Sequence, residues 1–481
     1  MKHYEAVIGL EIHVQLLTNS KIFCGCGTRF GAEPNSQVCP VCSGMPGSLP
    51  VLNQTALDYI IKAGLALNCR LNSDTWFARK NYFYPDLPKG YQISQFENPV
   101  AENGHLMIDP DESGVREIRI RRIHLEEDAG KSMHPEKDNL IDQSYIDFNR
   151  CGVPLIEIVT EPDLHSPSEA YAFLTSLKQI ILYLGISDCN MEEGSLRCDA
   201  NISLRPQGSD TLGVKTELKN MNSFHGVERA LNFEIRRQTA MLESGQAITQ
   251  ETLLWDDERQ EVRSMRSKED AHDYRYFPEP DLVPIRLDSN RIDTIRSQLP
   301  ELPRAKYRRY INDYQLPDYN AQFLTSTPDY ALFFEQAVQN YSNPLAISNW
   351  IMGDLTKAAK EMKGELSALK IRPEMLSKLI KLIDEGQINN KIAKQILETM
   401  LESGENPETI ISRQGISQVT DIQVIETIID QIVQSHPDEL NQYRSGKEKV
   451  FGFFVGETMK ATKGKANPKI VNELLQKKLK A

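Results

Sequence analysis

Residues 7–16 read Val7-Ile8-Gly9-Leu10-Glu11-Ile12-His13-Val14-Gln15-Leu16. Ile8, Leu10, Ile12, Val14 and Leu16 fall on one side; Gly9, Glu11, His13 and Gln15 fall on the other. A period of two predicts a β-strand with one apolar and one polar face. A wet face usually carries Thr, Lys, Ser and Glu, so this strand alone fits one; its imidazole beside a carboxylate gains meaning only if other strands add to it. Alternation that begins this close to Met1 also predicts that no signal or transit peptide precedes the fold.

Other segments repeat the pattern. In 197–205, Cys198, Ala200, Ile202 and Leu204 oppose Arg197, Asp199, Asn201, Ser203 and Arg205. In 214–219, Val214, Thr216 and Leu218 oppose Lys215, Glu217 and Lys219. In 118–128 the alternation slips near Arg121-Arg122, as a β-bulge produces. Beyond the slip, Ile123 and Leu125 face one way, and His124, Glu126 and Asp128 the other. In 155–159, Glu157 is the one charged residue of an apolar strand. For any single strand, an antiparallel sheet with one solvated face accounts for the alternation. If the strands share a sheet, however, one face gathers Glu11, His13, Glu126, Asp128, Glu157, Asp199, Asn201 and Glu217, with Lys and Arg between them. Hard oxygen ligands with an imidazole suit Mg²⁺ or Mn²⁺, and the interspersed cations suit phosphate. Such a face fits phosphoryl transfer, where positioning and charge stabilisation supply most of the catalysis. There is no G-x-x-x-x-G-K-[ST] loop, since Val214 separates Gly213 from Lys215. With no G-x-G-x-x-G or G-x-S-x-G either, a nucleotide would lie across the sheet.

The chain has 481 residues, 40% hydrophobic and 25% charged, which fits a soluble globular protein of about three domains. No apolar run approaches the ~18 residues that span a bilayer. The net charge is −12, but residues 443–481 carry ten Lys or Arg against three Glu, leaving −19 on the remainder. A basic tail on an acidic body is either a solvated helix or a surface for phosphate.

Eight cysteines are too few for a disulfide scaffold. Four form two pairs, Cys24-x-Cys26 and Cys39-x-x-Cys42, separated by twelve residues. Two close thiol pairs can surround one tetrahedral Zn²⁺, and four thiolates leave no open position, so such a zinc is structural. A redox pair or a site that has lost its metal would share the spacing. The stretch 79–96 carries five aromatics beside Arg79, Lys80 and Lys89. It can hold a base and phosphates, or it is a Pro-turned loop pinned by its rings.

Strand patterns stop near residue 295. A proline-dense stretch at 278–303 reads as a connector. Helices are predicted at 344–363, 373–385, 389–403, 407–414, 421–435 and 437–443, with Asn389 opening one helix and Gly404 closing it. A last helix follows Asn467 as N-cap and Pro468. The division is an α+β domain at 1–295 with an inserted knuckle at 24–42, an all-α domain at 296–406 and an all-α tail at 407–481.

Long strings in this chain resemble the B subunits of the tRNA-dependent amidotransferases, which make Asn-tRNA(Asn) or Gln-tRNA(Gln) from misacylated precursors. They are Val7–Val14, Arg79–Asp86, His124–Lys131, Pro154–Val159, Met191–Ser203, Asp273–Pro280 and Gly464–Pro468, and the likeness covers the full length. The resemblance implies a cradle related to the glutamine synthetase/guanido kinase fold. It implies ATP- and Mg²⁺-dependent phosphorylation of the Glu or Asp side chain on tRNA, then amidation by ammonia from a separate amidase (A) subunit. A small C subunit would complete a cytoplasmic heterotrimer, and the tail would lie near the tRNA elbow. By resemblance, Glu11, His13, Glu126 and Glu157 are the metal ligands, with Asp199 as a weaker candidate. Glu11, Lys80 and Glu126 would serve catalysis, and Lys80 would contact phosphate. Arg197, Asn201, Lys215 and Glu217 would surround ATP and substrate. Cys24, Cys26, Cys39 and Cys42 resemble the zinc-containing members. A zinc-dependent RNA-binding adaptor and a metal-dependent nuclease remain the other readings of the same residues.

Overall fold

The computed structural model describes residues 4–110, 114–133, 144–267, 273–362, 364–415, 422–462, 466 and 468–480. Asn467 as an N-cap, and the predicted helix ends at Lys363 and Asp421, lie outside the described residues. The chain forms two compact units, Met1–Pro303 and Arg304–Ala481. The first is a mixed-sheet domain and the second is helical.

Among the described residues, nine strands form the main sheet of the first unit. In chain order they are β1 (Tyr4–Gln15), β2 (Arg70–Leu71), β3 (Ala101–Ile108), β4 (Arg116–Glu127), β5 (Pro154–Thr160), β6 (Leu196–Pro206), β7 (Thr216–Lys219), β8 (Glu251–Asp256) and β9 (Glu261–Ser267). Their spatial order is β9-β8-β7-β6-β1-β5-β4-β3-β2, which places β1 at the centre. Ile8, Ile12 and Val14 of β1 are fully buried, and Leu10 nearly so. They pack with Leu57, Ile60 and Ile61 of helix Gln54–Ala66, Phe173 and Leu177 of Pro167–Leu184, and Val227 and Leu231 of Phe224–Glu243. Each such side chain contributes roughly 1.5–3 kcal/mol by leaving water. The helices start where side-chain oxygens meet the first free N–H groups: Asn53, Ser166 and Ser223.

The expectation of an antiparallel sheet needs one correction. Neighbouring pairs are antiparallel except β7–β8, which is parallel. The helix Phe224–Glu243 lies between those two strands in sequence and provides the crossover that a parallel pair requires. Alternation specifies a strand's faces, not its direction. The slip at Arg121 is a real irregularity: Val159 pairs with Arg122 and Thr160 with Ile120, so Arg121 has no partner in the ladder.

The proline-dense stretch is not bare linker. It holds strand Ile285–Arg286 and helix Ser289–Ser297, and Pro303 opens the next helix, Pro303–Asn312. Prolines here punctuate elements. In the second unit, helices Pro373–Asp384 and Asn390–Ser403 match the predicted spans closely. The Asn389 side chain accepts a hydrogen bond from Ile392 N at 3.0 Å, and Gly404 closes the helix at φ 74°. The predicted helix at 344–363 is interrupted by a π-helical turn, Ile351–Leu355. Three helices at 303–340 have no counterpart among the predicted spans. Two separate apolar clusters stabilise this unit, one around Phe334, Leu376 and Ile396, the other around Ile425, Phe454, Val471 and Leu475. Among the described residues, no helix is long and apolar enough to cross a membrane.

Candidate active site

The polar face of the main sheet is assembled by register. Toward β5, Glu11 stands opposite Val159 and His13 opposite Glu157. Toward β6, Gly9 stands opposite Asn201, Glu11 opposite Asp199 and His13 opposite Arg197. One strand further out, Glu157 pairs with His124 and Leu155 with Glu126, while Asn201 pairs with Glu217. Directly opposed residues share a face, so five strands bring these groups together.

The distances define two donor groups that share one carboxylate. His13 Nε2 lies 3.3 Å from Glu157 Oε2, 3.7 Å from Glu126 Oε1 and 4.0 Å from Glu11 Oε1. His124 Nε2 lies 3.4 Å from Glu157 Oε2 and 3.5 Å from Glu126 Oε2. Glu11, His13 and Glu157 form one set spaced for a metal ion, and His124, Glu126 and Glu157 form the other. The donors are carboxylate oxygens and imidazole nitrogens, a set that fits a hard or borderline divalent cation. Ser94 Oγ donates to Glu126 Oε2 at 3.0 Å and fixes that carboxylate. Asp128 is braced by Gln15 Nε2 at 2.6 Å and an Arg197 guanidinium N–H at 2.9 Å.

Charge and burial act together here. Burial alone would lower the pKa of His124, but the carboxylates of Glu157 and Glu126 outweigh it and raise it to about 9. His13 is raised in the same way, with Glu157 as the main opposing influence to burial. Glu157 is held well below the usual carboxylate range: burial pushes it up, and the His124 and His13 imidazoles overcome that. Glu11 is raised, first by burial and then by the Glu157 carboxylate.

Lys80 sits on strand Ala78–Asn81, which pairs with Tyr91–Ser94 and Phe277–Pro278 in a separate three-stranded sheet. Its Nζ lies 4.8 Å from the Tyr274 ring centre and 5.9 Å from that of Tyr82. Burial would favour the neutral amine, but Glu126 and the surrounding tyrosines raise its pKa, so Lys80 stays an ammonium. The aromatic stretch at 79–96 is therefore a hairpin that carries a cation toward the carboxylates.

The structure separates the remaining candidates. Asp199 lies outside both donor sets and accepts from Lys219 Nζ. Glu217 meets the same Nζ at 2.9 Å and accepts from Thr252 Oγ1 at 2.9 Å. Lys215 is exposed and precedes β7 instead of lying within it. Two residues of this face escape the sequence-based choice of site residues. His124 belongs to a donor set, and its signal is a place on the polar side of its strand beside Glu126. Lys219 also stands on a polar side, but only pairing reveals its two carboxylates.

The four cysteines 24, 26, 39 and 42 lie with their sulfurs within 4.8 Å of one another, and they can hold a metal such as zinc. The knuckle has no regular secondary structure; hydrogen bonds from Ser43 N to Cys39 O and from Met45 N to Pro40 O shape its turn. Gly44 has φ 70°, and a Cβ there would clash with Lys89 Cγ, so any larger residue is strained both by its backbone and by this contact. The Cys42 thiol is held low by the Cys24 thiol first and by the Cys39 N–H and Lys21 ammonium next, while the same bond to Cys42 raises Cys24 and burial raises Cys26. Thiolate is the form that binds metal. Cys151 is outside the four-sulfur set but touches it, its Sγ donating to Cys42 O at 3.4 Å; Cys189 and Cys198 are buried elsewhere, and Cys69 is half-buried.

The first unit thus pairs a mixed sheet, with metal-ligand donors on one face, with a thiol knuckle, and the second unit is helical. Comparison with known proteins makes this specific. Residues 6–293 match the GatB/GatE catalytic domain, and residues 332–479 match the GatB domain. The chain is 52% identical to the B subunit of the aspartyl/glutamyl-tRNA(Asn/Gln) amidotransferase of Carboxydothermus hydrogenoformans, over 100% of this chain and 99% of that protein. It is 54% identical to the corresponding protein of Geotalea uraniireducens, over 99% of each chain. For that of Persephonella marina the identity is 51%, over 99% of this chain and 100% of the relative. The chain belongs to the amidotransferase B-subunit family.

Proposed function

We propose that this chain activates and amidates the side-chain carboxylate of Glu-tRNA(Gln), Asp-tRNA(Asn) or both, using ATP and ammonia. The observation that carries the reading is the convergence of Glu11, His13, His124, Glu126 and Glu157 on one sheet face, with Lys80 beside Glu126. Glu11, His13, Glu126 and Glu157, joined by His124, would hold Mg²⁺, and Asp199 stands next to them. When bound, Mg²⁺ neutralises phosphate oxygens and orients the γ-phosphoryl group of ATP.

The chain's own residues supply positioning and charge. Lys80, kept as an ammonium, contacts the transferring phosphoryl group. Arg197, Asn201, Lys215 and Glu217 surround nucleotide and substrate. A substrate carboxylate oxygen attacks the γ-phosphorus and ADP leaves. Ammonia then attacks the acyl carbon and phosphate leaves, giving the amide. No side chain needs to act as general base, because ammonia is a competent nucleophile and an acyl-phosphate a good electrophile. The first unit would be the cradle of the glutamine synthetase/guanido kinase type. The all-α region 296–406 and the tail 407–481 would hold tRNA. An amidase subunit would supply ammonia, a small C subunit would complete a cytoplasmic heterotrimer, and the knuckle would hold structural zinc.

The test uses the assembled complex. ADP release should require charged tRNA, and Glu126→Gln should lower it at least about 100-fold while tRNA affinity is kept. Equal ADP release by Glu126→Gln would remove that residue from the chemistry. RNA cleavage without ATP would instead favour a nuclease.

A further inference from the structure

Lys219, like Arg122, is a cation of the polar face that the proposed chemistry leaves without a role. It ends β7, and its Nζ bridges two carboxylates, Asp199 and Glu217. Asp199 stands directly opposite Glu11, so the ammonium lies at the edge of the donor sets. The other cations near the donor sets have different partners in this structure. Arg197 binds Asp128, Arg122 lies 3.7 Å from Glu157, and Lys80 is enclosed by tyrosine rings.

The surroundings of Lys219 allow its side chain to change partners while its backbone stays. Behind the sheet, the fully buried Thr216 Oγ1 donates to Glu234 Oε1 at 2.9 Å, and Gln238 Nε2 donates to Thr216 Oγ1 at 3.0 Å. Leu218 is buried as well. These contacts pin the four-residue strand. Glu217 has a second partner independent of Lys219, the Thr252 hydroxyl, whose Oγ1 donates to it at 2.9 Å. The Lys219 side chain is 34% exposed, so water and solutes reach it.

We propose that Lys219 is a further phosphate-contacting residue for the nucleotide, held by Asp199 and Glu217 until a polyphosphate takes their place. The inference rests on the ATP reading above. A polyphosphate brings more negative charge than either carboxylate, and an ammonium at the end of a long side chain follows it. Lysine suits this role because its compact charge sits on a flexible stem.

The experiment measures equilibrium binding of ATP, AMP and adenosine, each with Mg²⁺, to the complex carrying wild-type chain, Lys219→Gln or Lys219→Arg. Wild type should bind ATP more tightly than adenosine. Lys219→Gln should weaken ATP by roughly 10- to 100-fold, the size of a lost charge-assisted hydrogen bond. Adenosine binding should be unchanged, and Lys219→Arg should recover most of the loss. Unchanged ATP affinity in Lys219→Gln overturns the proposal while the ATP reading stands. An equal loss for ATP and adenosine also overturns it, because the effect then bypasses phosphate. If wild type binds no ATP, the underlying reading itself fails.

Discussion

Glu157 Oε2 is the oxygen that both imidazoles approach, at 3.3 Å from His13 and 3.4 Å from His124. Glu157→Gln removes one of the two carboxylates that His13 and His124 share, Glu126 being the other, and leaves the buried His124 and half-buried His13 facing an amide there. Breaking a buried ionic contact on one side is costly, so the variant should lose about 3 kcal/mol of unfolding free energy at neutral pH. Urea denaturation of the isolated chain measures this, and a loss below about 0.5 kcal/mol would show that the contact does not support the fold. Much of this cluster is legible residue by residue. Glu11, His13, Glu126 and Glu157 fall on polar sides by alternation, and the resemblance to the amidotransferase B subunits is what names them as ligands. His124 and Lys219 are visible on polar sides, but nothing in a single strand says which neighbour a side chain will meet. Asp199 reads as a ligand candidate because its competing partner, Lys219, lies on another strand.

At the scale of elements, the knuckle offers a direct check. Cys39→Ser in the purified chain should abolish bound zinc, measured by elemental analysis, because three thiolates and a hydroxyl hold it far less well. Full zinc content in that variant would place the metal elsewhere. In the second unit, Glu335 accepts from Lys306 Nζ at 2.6 Å and also from Arg309. Burial raises its pKa, but those two cations bring it below the ordinary carboxylate value. A depressed folded-state pKa adds stability above the unfolded value, and that stability is lost as pH falls through the folded one. Glu335→Gln should therefore cost about 1–2 kcal/mol at pH 7 and progressively less below about pH 4, in paired denaturation curves. A pH-independent cost would point to packing instead. Sequence periodicity locates β1, β4, β5, β6 and β7 and the bulge at Arg121, because apolar spacing is local, but leaves β2, β3, β8 and β9 unread. It misses the parallel β7–β8 pair, which depends on a helix crossing behind the sheet, and the π-helical turn at Ile351–Leu355, where Thr356 Oγ1 bonds back to Ile351 O at 2.6 Å.

On the scale of the whole molecule, the charge asymmetry acquires a structure. The basic helix Pro468–Lys480 buries Val471, Leu475 and Leu479 in a cluster with Ile425 and Phe454. Deleting residues 443–481 would strip the partner from helix Ile422–Ser435, so it would report on folding as well as on binding. Lys478 is tied to Asp430 at 2.7 Å, whereas Lys477 and Lys480 are exposed. The cleaner variant is Lys477→Gln with Lys480→Gln. It should weaken tRNA binding and reduce the slope of log affinity against log salt by about 1–2, since each lost phosphate contact removes a released counterion. An unchanged slope would leave these lysines as a solvated face. The central claim, ATP-driven amidation on the carboxylate-rich sheet, is tested most directly in the complex with its amidase and small subunits. Glutamine, Mg²⁺ and either Glu-tRNA(Gln) or Asp-tRNA(Asn) are supplied, with and without ATP. The account predicts amidated aminoacyl-tRNA from at least one substrate, only with ATP, and none with Glu126→Gln. Amide formation without ATP, or none from either tRNA with ATP present, would contradict it.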